Sequence, residues 1–406
     1  VADRYLTNED LEARFSALDA FLVAHQSLWR PAPFTERELS WERTHPKLSA
    51  WLRCRSLAEA DAQHTTPHEL NAPAPFGEWA SQALQLAALG PLPSQQIHAV
   101  SNRLSVDVPG RKWTQIQAFA GHLAFQHAPS HWLDWCAGKG HLGRVLAGKE
   151  SRLTALEHDP QLVADGQALS ERHGLIEASH IQQDVLQADV LRHLGHDTTP
   201  VALHACGDLH TTLIQHACTA NVPALAVAPC CYNRTNATVY VPFSQRGKAS
   251  ALQLDRKDLG LPMTETVTAG QRVRQQRDQS MARRLAFDLL QRRLRGVDAY
   301  LPTPSLDTCW LKQPLSAFCA HLAECKGIEL PPQIDWQALE TAGWERLAEV
   351  RNLELVRGLF RRPLEMWLLL DRALLLSEHG YRVNIGTFCP PDVTPRNVML
   401  LAERDD

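Results

Sequence analysis

His131-Trp132-Leu133-Asp134-Trp135-Cys136-Ala137-Gly138-Lys139-Gly140-His141-Leu142-Gly143 is the stretch on which the fold turns. Residues 131–136 read as a short apolar strand, the glycines as a turn, and a helix starts at His141. Glycine at 138 and 140 lets backbone approach a ligand where a side chain would collide, and Gly143 permits tight helix–sheet packing. Glu157 ends the next predicted strand, where a carboxylate can accept hydrogen bonds from both hydroxyls of a ribose. As bare text, Gly138-x-Gly140-x-x-Gly143 also fits the dinucleotide fingerprint. Its weight comes from the strand–turn–helix context.

The alternation continues outward. Strands are expected at 153–157, 179–183, 201–206 and 224–228. The helix after the second strand is well signalled, with Asp159 as cap, Pro160 at its first position and Gly174 just past its end. Strands alternating with helices imply βαβ units and a parallel sheet. Arg362-Pro363 opens a long helix closed by His379-Gly380, and strands at 381–388 and 398–402 follow as an antiparallel hairpin. The expected class is therefore α/β: a Rossmann-like sheet of the class I methyltransferase kind with an antiparallel terminal hairpin. Residues 1–108 read as a helical N-terminal domain, in which Thr7 caps a helix with Asp10 at its third position. Residues 109–232 and 356–406 read as two parts of the core, and 233–355 as a mostly helical, possible substrate-binding insertion.

The 406 residues are 44% hydrophobic and 21% charged, the composition of a globular chain of two or three domains. No apolar run reaches the roughly 18–20 residues of a membrane helix. The first ten residues carry four charges, so no export signal is expected in them. Ten cysteines contain no Cys-x-x-Cys pair, and reduced thiols in a cytoplasmic protein are the expectation.

Two acidic residues favour S-adenosylmethionine over a dinucleotide. Asp134 ends the first strand, where a carboxylate suits a ligand with an ammonium and a sulfonium and would repel a pyrophosphate. Asp184 follows the third strand and can accept from the adenine amino group, with apolar Val185 beside the ring. A helix cap is the equal alternative for Asp184.

Loops at the carboxyl ends of the later strands should carry the chemistry. Asp208, after Cys206-Gly207, either orients or deprotonates an acceptor or caps the helix that follows. The fifth strand ends in Cys230-Cys231-Tyr232. Adjacent cysteines in an extended chain point to opposite sides, so one at most should face the site. Packing is their default, and a nucleophilic thiolate would need a depressed pKa. Histidines 131, 141, 158, 204 and 210 lie near the cleft, without a metal-ligand spacing; no metal is expected, and one of them can serve as a proton acceptor. Eight arginines (272, 274, 277, 283, 284, 292, 293 and 295) give residues 271–295 a net charge of +6 in a chain of net charge -4. They form either a solvated helix face or a phosphate-binding strip.

Together, 133–142, Leu203-His204-Ala205-Cys206-Gly207-Asp208-Leu209 and Pro229-Cys230-Cys231-Tyr232 resemble the methyltransferase-like 25 and ribosomal RNA adenine dimethylase domain-containing group. That group shares its methyltransferase domain with the family that methylates a ribose in the tRNA acceptor stem. Further similarity lies in 111–116, in Val241-Pro242-Phe243-Ser244, in Asp371-Arg372-Ala373-Leu374 and in Thr394-Pro395-Arg396-Asn397. Here Cys-Cys-Tyr stands where the acceptor-stem family has Cys-Cys-His, and that family's N-terminal zinc-binding residues are absent.

The resemblance implies a class I fold and S-adenosylmethionine as cofactor. The expected cofactor contacts are Lys112, Gln115, Asp134, Cys136, Ala137, Gly138, Gly140, Glu157, His158, Asp184, Val185, His204 and Cys206; Lys112 or Gln115 would reach the methionine carboxylate. The catalytic candidates are Asp208, His204, Cys230, Cys231 and Tyr232. The expected activity is methyl transfer to RNA, either tRNA or rRNA. A protein or small-molecule methyltransferase, a nicotinamide-dependent oxidoreductase and a silent binding module are the alternatives.

Overall fold

The computed structural model describes residues 4–95, 102–106, 108–148, 151–264 and 270–404. Asp3, one of the four N-terminal charges, lies outside them. The chain forms two compact units. The first holds the described residues of 1–23, 85–267 and 362–406, and the second those of 24–84 and 268–361.

The first unit is built on seven strands: β1 (His131–Trp135), β2 (Arg152–Glu157), β3 (Ala178–Gln182), β4 (Thr199–Cys206), β5 (Ala224–Cys230), β6 (Tyr381–Thr387) and β7 (Val398–Arg404). Their order is β3-β2-β1-β4-β5-β7-β6. Strands β1 to β5 pair in parallel, whereas β7 is antiparallel to both β5 and β6. The terminal hairpin is thus seated with β7 inside the sheet and β6 at its edge. The expected α/β class and antiparallel terminal hairpin are what the sheet shows.

Local chemistry accounts for the elements. β5 is buried at all seven positions, the pattern of a central strand covered on both faces. Asp159 accepts from the amides of Gln161 and Leu162 and caps the helix Pro160–Arg172. Asp10 accepts from the amide and hydroxyl of Thr7 at the start of the helix Asn8–Ala24. Order reverses at β1, with β2 on one side and β4 on the other, so the crevice beyond their carboxyl ends is the place where such sheets bind ligands.

The second unit is helical, with Gln271–Arg295, Leu315–Lys326 and Trp336–Gly358 as its longest helices. Ala286, Phe287, Leu290, Phe318, Leu322 and Leu339 form one of its cores. Residues read as an N-terminal domain divide between the units: Asn8–Ala24 lies largely in the first, whereas Pro46–Arg53 and Leu57–Gln63 lie in the second. The boundaries of the compact units therefore differ from those expected at 108, 232 and 355. The reason is the buried face of Trp336–Gly358. Asn352 donates its amide to the carbonyls of Arg55 and Ser56, and Arg346 donates to that of Pro33. Sequence-distant segments thus close one core.

Candidate cofactor cleft and acceptor rim

The turn after β1 is held from below. Buried Asp134 accepts from the Gly143 amide at 2.9 Å, fastening β1 to the helix His141–Ala147. Burial pushes its carboxyl up to about 6, against the amide bond and the nearby Arg144 and Lys112. Glu157 Oε2 accepts from the Gly138 amide at 2.8 Å, and Oε1 accepts from the amides of His158 and Asp159. A carboxylate has about four acceptor sites. Three of them are taken by these amides.

The three glycines have different tasks. A Cβ on Gly140 would stand 2.4 Å from His180 Cε1, and one on Gly143 2.5 Å from Leu153 Cδ1. A Cβ on Gly138 meets nothing within 4 Å, and its φ is +57°. Gly138 alone of the three faces open space, which is where a ligand can lie against backbone. Cys136 also takes a positive φ, 59°, without being glycine. Its thiol is raised to about 12 by burial, then by Glu157, Asp134, Cys206 and Asp184. Groups from the ends of β1, β2, β4 and the loop after β3 thus act on one point, and the carboxylates suit a cationic ligand.

Other expected contacts are placed less directly. Asp184 accepts from the Leu186 amide and the Gln187 side chain, which hold its pKa down. These bonds close a turn and are not the helix cap offered as the alternative; the helix that follows, Ala188–His193, is capped at Gln187. Val185 is buried beside it, and His158 is exposed. Gln115 is buried and donates to the Val393 carbonyl, whereas Lys112, on the same helix Gly110–Gly121, is exposed and acts on Asp134 and His204. Ala137 donates its amide to the Leu156 carbonyl, tying the turn to β2.

At the acceptor rim, β4 and β5 fall out of simple register. Leu203 pairs with Ala228 and Cys206 with Cys230, so β4 carries one extra residue, and His204 sits in the bulge with a φ of 72°. His204 is exposed; desolvation and then Lys112 lower its pKa, which leaves a neutral imidazole. Asp208 opens the helix Asp208–Ala220 and its Oδ2 accepts from the Asn236 amide, so the carboxylate pins the loop after β5. A cavity of about 380 Å³ beside it is lined by Gly207, Asp208, Tyr232, Asn236, Phe243 and Arg372, among others.

The cysteines depart from expectation. Cys231 has a φ of 48°, so the chain is not extended there, and both neighbouring thiols turn toward Cys206. Sγ of Cys206 and Cys230 lie 3.4 Å apart, and all three Sγ atoms lie within 4.8 Å of one another. Hydrogen bonds from Cys206 and Cys230 lower the Cys231 thiol, helped by Arg234 and Arg396, while Cys206, Cys231 and burial raise Cys230.

Tyr232 is 3% exposed. Burial raises its phenol, and its ring lies under Arg372, whose guanidinium carbon is 5.0 Å from the ring centroid. Arg372 Nε donates to His210 Nε2 at 3.0 Å, and His210 Nδ1 faces the Ala205 carbonyl, so buried His210 is a fixed neutral imidazole. Asp371 beside it accepts from Tyr240, from the Phe243 amide, and from both the amide and hydroxyl of Ser244. This pair explains the Asp371-Arg372 and 241–244 motifs. Sequence reading missed His180, which fills the space left by Gly140 and by Gly166 in a helix; that helical glycine was the available signal.

The arginine strip is largely occupied. Arg283 donates to the Trp310 carbonyl, Arg284 to Thr303 and Pro304, and Arg295 to Gln291. Arg292 is paired with Asp288 and Asp298. A continuous phosphate-binding strip is therefore not formed; Arg272, Arg274 and Arg293 have exposed side chains. Among the described residues, no helix is long and apolar enough to cross a membrane.

Residues 111–238 match a family model described as "Methyltransferase domain". A glutathione S-transferase C-terminal domain-containing protein of Xenopus laevis is 33% identical over 113 residues, which is 27% of this chain and 18% of that protein. The chain thus spans under a fifth of that relative's length. Two solved structures are similar at low scores. An RNA methyltransferase from Salinibacter ruber, in complex with S-adenosyl-L-homocysteine, has 15% identity, 34% and 86% coverage of the two chains and a TM-score of 0.23. Magnesium protoporphyrin IX methyltransferase from Synechocystis PCC 6803, with bound S-adenosylhomocysteine, has 14% identity, 42% and 70% coverage and a TM-score of 0.25. Scores this low bear on neither the acceptor nor the fold. Residues 111–238, which carry β1 to β5 and the glycine turn, are thus similar to a methyltransferase domain.

Proposed function

We propose that the chain is an S-adenosylmethionine-dependent methyltransferase whose acceptor is RNA. The observation that carries the first part is Gly138, whose Cβ direction is empty, set among Asp134, Glu157 and Asp184 at the switch point of the sheet. When bound, the cofactor supplies an electrophilic methyl group on a sulfonium. Asp134 and Glu157 would hold its amine and sugar, Asp184 and Val185 its purine, and Lys112 its carboxylate. This chain's work is to fix donor and acceptor in line. If the acceptor is a hydroxyl, neutral His204 or Asp208 takes its proton.

RNA is supported by the exposed Arg272, Arg274 and Arg293. The narrower kinship with the methyltransferase-like 25 group is supported by the way its motifs meet: Asp208 donates its amide to the Arg234 carbonyl, and Gly207 its amide to Cys230. The expected cytoplasmic setting is part of the same proposal. The test is transfer of tritium from labelled cofactor into fractionated tRNA, rRNA and protein. Counts in an RNA fraction, lost with Gly138→Leu, are the expected result. Counts confined to protein overturn the acceptor, and no calorimetric binding of the cofactor overturns the whole reading.

A further inference from the structure

Three thiols meet where β4 and β5 end, and the backbone, not the side chains, brings them there. Cys206 and Cys230 are direct partners across the β4–β5 pair, so their side chains share one face. Cys231 follows in the left-handed region with a φ of 48°, which swings its thiol back toward the other two. Gly207 takes a φ of +54°, and a Cβ there would collide with the Arg234 carbonyl oxygen at 1.8 Å. The Gly207 amide donates to the Cys230 carbonyl at 3.1 Å, and the Arg234 amide to the Cys231 carbonyl at 2.9 Å. The convergence is fixed before any ligand arrives.

From this juxtaposition we propose that Cys206, Cys230 and Cys231 form a binding site for one zinc ion. A Zn–S bond of about 2.3 Å sets tetrahedral sulfurs about 3.8 Å apart. The observed separations, 3.4 Å for one pair and under 4.8 Å for all, bracket that value. An all-sulfur donor set selects a soft or borderline cation and rejects magnesium and calcium, which require oxygen. Charge agrees as well. Three thiolates around a dication leave a single negative charge, and Arg234 and Arg396 act on Cys231 from nearby. Among the described residues no fourth His, Cys, Asp or Glu joins the group, so the protein supplies three ligands and water the fourth. Sites with three protein ligands and one exchangeable position are those that keep zinc chemically accessible.

The site does not depend on the cofactor reading. The test titrates cobalt(II), then zinc, into the reduced, chelator-treated full chain. One equivalent of cobalt should give thiolate-to-metal charge-transfer absorption in the near ultraviolet, and zinc should bleach it. Cys206→Ser and Cys231→Ser should each weaken zinc by on the order of 100-fold in competition with a chromophoric chelator. Circular dichroism checks their fold, and Cys309→Ser, at an exposed cysteine, should bind as the parent does. Asp134→Asn should abolish cofactor binding and leave metal uptake unchanged, which separates the two proposals. Absence of the charge-transfer band, its persistence in Cys206→Ser/Cys231→Ser, or a Cys206–Cys230 disulfide in material purified without reductant would each overturn the site.

Discussion

Gly207 lies directly against the backbone of Arg234, and the Cβ of any other residue would stand 1.8 Å from the Arg234 carbonyl oxygen. Its φ of +54° is costly for any side chain as well. This one contact locks the loop after β4 to the loop after β5 and so sets the acceptor rim. Gly207→Ala should therefore cost about 2–5 kcal/mol, combining left-handed strain with overpacking. Urea denaturation measures it, and a loss under about 1 kcal/mol would show that the two loops can part cheaply.

Asp134 carries a pH signature. Its folded pKa is about 6, above the ordinary 3.8, so the native state binds the proton more tightly than the unfolded chain. Stability attached to this group is full below about pH 4 and is lost as pH rises through 6, by about 3 kcal/mol at most. Asp134→Asn should flatten that part of the pH–stability curve and be the more stable protein at pH 7.5. It should nevertheless lose cofactor affinity, because under the proposed function the carboxylate would face the ligand's amine. Denaturation at pH 5 and 7.5 beside calorimetry checks both signs.

Gly166 and His180 form a pair that a double-mutant cycle can isolate. A Cβ on Gly166 would meet His180 Nδ1 at 2.4 Å, while Ser170 anchors His180 Nε2 at 2.9 Å and limits its retreat. Gly166→Ala alone should destabilise by about 1–3 kcal/mol. In a His180→Ala background that cost should largely vanish, and additive effects would show that the crowding is elsewhere.

The arginine helix should split into two behaviours. Arg292, buried and paired with Asp288, should cost about 3–5 kcal/mol when changed to alanine. Arg272→Ala/Arg274→Ala should leave stability within about 0.5 kcal/mol and weaken RNA binding, lowering the salt slope by about two. An unchanged slope in filter binding would remove these side chains from the RNA surface.

The sequence alone determined the elements and their alternation. Periodicity, the Asp159-Pro160 start and the glycine turn are local signals, and β1 to β7 fall within a residue or two of where those signals place them. It also singled out Asp134, Glu157 and Gly138, because a turn between a parallel strand and its helix has few chemical solutions. Tertiary structure decided everything that depends on which distant segments meet. It divided the first hundred residues between two units, since the buried face of Trp336–Gly358 needed covering. It tied up Arg283 and Arg284, whose partners Trp310, Thr303 and Pro304 come from outside their helix, where no helical periodicity identifies them. It also brought Cys206 to Cys230 and Cys231, which depended on a one-residue bulge and a left-handed φ at a non-glycine residue. Spacing along a chain reports local geometry; convergence of side chains is set by register between strands, and register is a property of the folded sheet.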